Sequence, residues 1–333
     1  MKALLADNQN KTPKMVLSDY PEPTPRPGEL LVQIHATALN RADLLQKQGK
    51  YPPPEGASPL LGLEMAGEVL ETGEGVRSFQ PGDRVFGLLP GGGYAQRCTL
   101  PASIALPLPE SFTFTEGAAI AEAFITSWQS LVWLGGLNRN ETVLIHGGAS
   151  GVGSAAIQIA SRLYECRVLT TAGSEEKRSF CRGLGADLAV DYQTTDFAEV
   201  LIGEIGEKEV QLVLDIAGAS HWNRNLRLLG MDGRLVLLSL LGGAKVEKMN
   251  LVPILAKRLA IRGTTLRNRS DLYKAELVQD FYTHCKDALA SGTLHPVIDS
   301  EYNWREVEQA HKRMEENRNI GKILLTGMAD EPV

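Results

Sequence analysis

The sequence predicts an α/β protein in which a β-rich domain is interrupted by a doubly wound parallel-sheet domain. Three observations carry this. Residues 1–110 are rich in Pro and Gly, with short alternating runs. From about residue 115 strands and helices alternate. The strands of that second part, such as VLI and LVLLSLL, are unbroken apolar runs, which suits a parallel sheet covered on both faces. At 333 residues the chain exceeds the roughly 250–300 at which a single core stops growing, so two domains are expected.

In chain order, LLVQIHATAL (30–39) and GEVLETG (67–73) read as strands, and PGDRVFGLLP (81–90) as a strand entered through a turn. GKYPPPEGASP (49–59) is a long loop. TEGAAIAEAFITSWQSLVWLG (115–135) reads as a helix with an apolar stripe, which Thr115 can cap. ETVLIHG (141–147), a helix over 152–164, CRVLTTA (166–172), a helix over 175–184, VQLVLDIAG (210–218) and GRLVLLSLLGG (233–243) build the inserted domain. After AIRGTTLRNRS (260–270) an amphipathic helix over 271–290 leads to a last apolar run, GKILLTG. The expected division is residues 1–122 with 263–333 for the outer domain and 123–262 for the insert.

Composition narrows the partners. Hydrophobic residues make up 43% and charged residues 22%, ordinary for a globular chain. A net charge of −6 argues against nucleic acid or an anionic membrane as the main partner. No apolar run reaches the roughly 18–20 residues of a membrane span, and MKALLADNQNK lacks the apolar core of a secretory signal. A cytoplasmic location and no membrane partner are therefore expected. Cys98, Cys166, Cys181 and Cys285 are scattered without a CxxC, so neither a disulfide framework nor a structural zinc lobe is readable. His284 and Cys285 are neighbours on a helix and point about 100° apart, so they do not chelate together. The basic run KRLAIRGTTLRNR (257–269) is where an RNA-binding reading would start; in an acidic chain it reads as a solvated domain boundary.

The most informative segment is ETVLIHGGASGVGSAAIQIA: a strand, a turn with Gly147, Gly148, Gly151 and Gly153, then a helix opening with small residues. Glycines let the backbone turn sharply and approach a pyrophosphate, whose charge sits on the helix N-terminus. The spacing is G-x-x-G-x-G, and the flanking strand and helix are the context such a loop requires. An acid that would bind the ribose of NAD is missing from the end of the second strand, which reads RVLTTAGSEEKR. Ser174 at a helix start and Lys177 one turn in suit a 2′-phosphate, so NADPH is favoured over NADH. Against this stands Ser174 as a plain helix cap with Lys177 in solvent. His146 is read as plugging the strand end or lining the cleft, and Asp215 as a residue at the carboxyl edge of the sheet.

LLGLEMAGEV (60–69) places Glu64 in an apolar, glycine-rich run, where a buried carboxylate needs a partner. The overall pattern resembles the medium-chain dehydrogenase/reductase superfamily, in which a GroES-like β-rich catalytic domain carries an inserted Rossmann domain. Its zinc-dependent members supply metal ligands from a Cys-x-x-Asp element and a Gly-His-Glu element. The corresponding segments here are ALNRADLLQKQG and GLEMAG, so Asn40 stands in place of the cysteine and Leu63 in place of the histidine. Leucine cannot bind a metal and asparagine is a poor zinc ligand, so no metal is expected. Glu64 is then expected to pair with a basic side chain, for example an arginine.

LNRADLLQKQGKYPPPEGAS, LLPGGGYAQ, EGAAIAEAFITSWQ, LIHGGASGVGSAAIQIA, TTAGSEEK and ENRNIGKILL are similar to the zeta-crystallin-like quinone oxidoreductases, nearest the branch of the tumour-suppressor-inducible quinone reductase. That resemblance implies NADPH contacts from Gly148, Ser150, Gly151, Val152, Gly153, Gly173, Ser174, Lys177 and Tyr192. It implies further contacts from Asn40, Tyr51, Thr126 and Asn317 in a domain cleft, and a homodimer. GRLVLLSLLGG is apolar enough to offer a sheet edge to a second copy. A reductase without zinc needs an acceptor that is already electrophilic, and a quinone is one. Asn40 and Tyr51 are the candidates for hydrogen bonds to the nicotinamide ribose or the acceptor oxygen. Two rivals stay open: reduction of an enone or alkenal double bond, and a non-enzymatic NADPH-binding structural or RNA-associated role.

Overall fold

The computed structural model describes residues 1–7 and 13–330. Residues 8–11 of the segment read for a signal, and 331–333 at the end of the 263–333 segment, lie outside the described residues. The chain divides into two compact units, Met1–Ile125 with Leu266–Val333, and Thr126–Thr265.

The first unit opens with the antiparallel pair β1 (Lys2–Asp7) and β2 (Lys14–Asp19). Then follow β3 (Glu29–Ala38), α1 (Arg41–Lys47), β4 (Glu64–Thr72), β5 (Arg84–Leu88), β6 (Arg97–Pro101) and β7 (Ala105–Pro107). Helix α2 (Phe114–Trp128) runs up to and past the division between the units, and Gln129–Leu134 continue it as a π-helix. Its start is set by Thr113 rather than Thr115. The Thr113 hydroxyl accepts from the Glu116 amide at 3.2 Å, and the Glu116 carboxylate accepts from the Thr113 amide at 2.7 Å. This is the reciprocal cap that T-x-x-E encodes.

The second unit holds β8 (Thr142–His146), α3 (Gly151–Gln158), β9 (Arg167–Ala172), α4 (Glu175–Leu184), β10 (Leu188–Asp191) and α5 (Phe197–Ile205). It goes on with β11 (Val210–Asp215), α6 (Trp222–Leu228), β12 (Leu229–Leu237), α7 (Val252–Ala256) and β13 (Ala260–Gly263). The six strands are all parallel, in the order β10-β9-β8-β11-β12-β13. The winding direction therefore switches between β8 and β11, and in such sheets ligands bind at the carboxyl ends of the strands beside that switch. Leu144, Leu169, Phe197, Val213, Leu226 and Leu235 share its core.

GRLVLLSLLGG is not the sheet edge. Strand β12 starts earlier, at Leu229, ends at Leu237 and lies between β11 and β13. The edge is β13, whose four residues are half-buried or exposed and lack an apolar run.

The chain returns to the first unit as α8 (Asp271–Ala290), β14 (Ile298–Asn303), α9 (Val307–Glu315) and β15 (Lys322–Thr326). There β14 and β15 complete a seven-stranded sheet, β14-β15-β3-β4-β5-β7, with β6 also on β3. On α8, His284 bonds Asp280 in solvent while Cys285 is fully buried.

The basic run crosses the division between the units, which falls after Thr265, and is solvated in part, with Arg258 and Arg262 exposed. Lys257 donates to the carbonyls of Leu226, Arg227 and Leu229 and so closes the end of α6. Arg258 pairs with Asp232, Arg262 donates to the Leu134 carbonyl, and Arg269 lies over the Tyr273 ring. Arg267 is 6% exposed.

Candidate active site

In the second unit the glycine turn leaves β8 through Gly147, whose φ of +69° is left-handed. The glycines after it are fixed by crowding. A Cβ on Gly148 would run into Thr170 Oγ1 and Cys181 Sγ, and one on Gly153 into the Gly147 carbonyl. Helix α3 thus packs directly on the turn. Ser150 is its N-cap, accepting from the Gly153 amide at 3.0 Å. The Gly151 and Val152 amides stand at the first helical positions, where no intrahelical acceptor exists, and they suit an anionic oxygen.

At the end of β9, a Cβ on Gly173 would lie 2.7 Å from Gln193 Nε2 and 3.3 Å from Tyr192 Oη. Gly173 and Tyr192 are therefore neighbours, and a larger residue at 173 would displace the end of the Gln193 side chain. Ser174 caps α4, accepting from the Lys177 amide at 3.3 Å. Its hydroxyl hydrogen stays available, so capping and anion binding are compatible. Glu175 is held by Arg178 and Arg182, and Arg178 also pairs with Asp191 at 2.7 Å. These pairings neutralise the acid next to Ser174. Thr126 is buried in α2.

Behind the turn runs a hydrogen-bonded chain that the sequence reading only touched. Asp215, 0% exposed, accepts from the Ala217 and Gly218 amides at 2.7 and 3.1 Å. Asn225 Nδ2 donates to Asp215 at 3.1 Å, which turns Asn225 Oδ1 toward His146 Nε2 at 2.7 Å. Nε2 must then carry the hydrogen, and Nδ1 accepts from the Thr171 hydroxyl at 2.9 Å. Burial drives His146 down to about 4, so it stays neutral in this arrangement. Burial raises Asp215 against its three N–H donors. The chain ties β9, β8 and β11 together at their carboxyl ends.

In the first unit, Glu64 is 0% exposed and fully engaged. Its Oε1 accepts from Lys322 Nζ at 2.7 Å and from Asn40 Nδ2 at 2.8 Å, and its Oε2 from the Glu122 amide at 2.7 Å. The basic partner is lysine, where arginine had been offered as the example. Lys322 Nζ also donates to Asn40 Oδ1 at 2.8 Å and to the Leu39 carbonyl at 3.0 Å. Asn40, the N-cap of α1, is thus tied into this cluster.

Next to it lies a second chain. Asp43 accepts from the Asn40 and Gly62 amides at 2.7 and 3.0 Å and faces Tyr94 Oη at 3.5 Å. Tyr94 Oη is 3.2 Å from His311 Nε2, and His311 Nδ1 is 3.4 Å from Lys47 Nζ, which pairs with Glu308 at 2.8 Å. Burial pushes Asp43 up to about 6, while burial and then Lys47 take His311 down to about 3. Lys322, Asp43, Tyr94 and His311 escaped the sequence reading. The one available signal was a lysine opening the apolar strand GKILLTG.

Tyr51 is half-buried, with its ring 5.4 Å from the Arg267 guanidinium. Burial raises its phenol, Glu122 adds to this, and Arg267 opposes it. Asn317 ends α9 with a left-handed φ of +51° and accepts from Arg41 at 2.6 Å. Among the described residues no cluster of three or more His, Cys, Asp or Glu is placed to hold a metal. No helix among them is long and apolar enough to cross a membrane.

Residues 26–110 match the alcohol dehydrogenase GroES-like domain family, and residues 151–280 the zinc-binding dehydrogenase family. The synaptic vesicle membrane protein VAT-1 homolog of Rattus norvegicus is 33% identical over 318 residues, 91% of this chain and 78% of that one. The quinone oxidoreductase of Sus scrofa is 30% identical over 314 residues, 92% of each. The structure of Escherichia coli quinone oxidoreductase complexed with NADPH superposes with a TM-score of 0.87 at 26% identity, covering 98% of this chain and 99% of that one. With GroES-like and Rossmann-type domains in this order, the chain belongs to the zeta-crystallin-like quinone oxidoreductases of the medium-chain dehydrogenase/reductase superfamily.

Proposed function

We propose that this protein is an NADPH-dependent oxidoreductase that reduces quinones without zinc. The observation that carries the reading is Glu64. The carboxylate that zinc-dependent relatives keep beside their metal is closed here by Lys322, Asn40 and the Glu122 amide, with Leu63 next to it. A donor set of asparagine, leucine and an ion-paired glutamate does not fit a zinc ion.

The second unit fits the cofactor. The turn at Gly147–Gly153 with the Gly151 and Val152 amides suits the pyrophosphate, and Ser174 with Lys177 suits the 2′-phosphate. NADPH supplies a hydride. Gly173 and Tyr192 suit the adenosine end, and Thr126 of the same unit is a further contact. The chain's part in the reaction is to hold and orient, and to keep the reacting groups dry. An acceptor that becomes an aromatic phenolate needs little Lewis-acid assistance, which is why quinones suit such a site. Transfer as a hydride or as single electrons in effect are both compatible with it. We also infer a homodimer through the exposed Leu240, Leu241, Leu251, Val252 and Leu255 beside β13.

NADPH oxidation with an ortho-quinone, a para-quinone and an alkenal, each with and without a chelator, tests the function. Chelator-insensitive turnover of quinones is expected. Turnover confined to the alkenal moves the protein to double-bond reduction, and none with any acceptor refutes an enzymatic role.

A further inference from the structure

Arginines set partly or wholly below the surface differ in what meets their guanidinium. Arg313 is matched by Asp299 at 2.5 and 2.9 Å, and Arg234 by both oxygens of Glu141. Arg267 is different. Its Nε donates to the Pro90 carbonyl at 2.8 Å, and the Tyr51 ring lies 5.4 Å from its Cζ. Nη1 and Nη2 are shielded from solvent and have no hydrogen-bond partner among the described residues. A guanidinium fork buried without acceptors is costly, and arginines buried for structure alone carry carbonyls or carboxylates there.

The surroundings explain why such a cost is kept. Arg267 lines a cavity of about 650 Å³ within the first unit, together with Leu63, Leu88, Gly92, Glu122 and Leu266. That volume falls in the range of small-molecule sites, about 300–1,000 Å³. Leu63 is the residue at the position of the lost metal ligand, so the cation and that position share one cavity wall. The loop LLPGGG presents bare backbone here. A Cβ on Gly91 would lie 2.5 Å from the Ser58 carbonyl and 3.5 Å from Arg267 Nη2. The Nε–Pro90 bond anchors the guanidinium, and Nη1 and Nη2 are left as its donors without acceptors among the described residues.

We propose that Arg267 binds the acceptor's oxygen, its Nη1 and Nη2 hydrogens receiving the carbonyl on which negative charge develops. This rests on the quinone-reductase reading above. Binding of the acceptor requires the shielded fork to turn toward the cavity that Arg267 lines. The quinone takes the hydride at one oxygen, where an O–H bond forms. The displaced electron pair comes to rest on the other oxygen, which becomes a phenolate held by Arg267 and then takes one proton from water. In a dry site a fixed cation stabilises that charge more than water can.

The test compares wild type with Arg267→Leu and Arg267→Lys. One arm follows binding of 4-nitrophenolate to the NADPH-free protein by its absorbance. A second measures kcat/KM across para-quinones of graded oxidising strength, and a third measures Tm. Arg267→Leu is expected to weaken phenolate binding about tenfold or more. It is expected to lower kcat/KM about 100-fold for the weakest oxidants and less for the strongest. Its Tm should hold or rise, since an unmatched buried charge is removed. A uniform loss across all quinones with a lower Tm, or phenolate binding like wild type, overturns the proposal. Should Arg267→Leu not fold, Arg267→Lys keeps the charge and loses the fork, and wild-type values for it overturn the proposal equally. Arg267-dependent phenolate binding in a protein that turns over no quinone supports the oxyanion site and refutes the quinone reading. Quinone turnover indifferent to Arg267 does the reverse.

Discussion

Replacing Glu64 by Gln tests the centre of the first unit with almost no change of shape. Glu64 is 0% exposed and the Lys322 side chain 6%, so the ammonium loses its counter-charge in a place water does not reach. The amide cannot repair the geometry. If its oxygen faces Lys322, its NH₂ group faces the Glu122 amide, donor against donor; if it flips, NH₂ meets the ammonium. Removing one partner of a buried pair costs about 3–5 kcal/mol. In a unit of this size each kcal/mol moves the midpoint by about 2–4 °C, so a fall of about 10 °C is expected. Circular dichroism melts of wild type, Glu64→Gln and the double variant Glu64→Leu/Lys322→Met give the answer. The double variant removes both charges and should recover most of the loss. Quinone preference, read from ratios of kcat/KM, should hardly change. A Glu64→Gln protein that melts within about 2 °C of wild type while losing turnover refutes the structural role and makes Glu64 a participant in the reaction.

Other expectations follow from the same geometry. Lys177→Ala should weaken NADPH binding about tenfold and leave NADH unchanged, by fluorescence titration; equal loss for both refutes the 2′-phosphate assignment. Burial lowers four histidines, His146 and His221 to about 4, His311 to about 3, and His35 below its ordinary value. Their contribution to stability is complete above the unfolded value near 6.5 and is lost as pH falls toward about 4. Asp43, raised to about 6, works in the opposite sense, contributing below about 4 and not above 6. Four lowered histidines against two raised carboxylates, Asp43 and Asp215, mean that stability in urea should rise from about pH 4.5 to 6.5, and a flat or falling profile refutes the assignment. Leu251→Glu with Leu255→Glu should convert a dimer to a monomer in sedimentation velocity, and a monomeric wild type sinks the interface.

Local signals were legible and distant ones were not. Helices 175–184 and 271–290 are found where the sequence puts them, because Ser174 and Ser270 cap them by bonds spanning three residues. The glycine turn was readable for the same reason. GRLVLLSLLGG misled because a buried central strand and an edge strand can carry equally apolar sequence, and the true edge, β13, is short and half-polar. The partner of Glu64 lies 258 positions away, on a strand that returns only after the inserted unit. No window of sequence contains both. The run 257–269 does hold the division between the units and is partly solvated, but charge along a chain says nothing about the carbonyls and rings that fold around Lys257, Arg267 and Arg269.

Lys322 also bars a metal from the position that Asn40 and Leu63 occupy. Exchanging Asn40 for Cys and Leu63 for His would restore two donors, yet a metal ion placed there would meet the Lys322 ammonium already on Glu64. Like charges in a dry cluster repel strongly. A metal site at this place therefore takes three changes rather than two, the third at Lys322 on the returning strand.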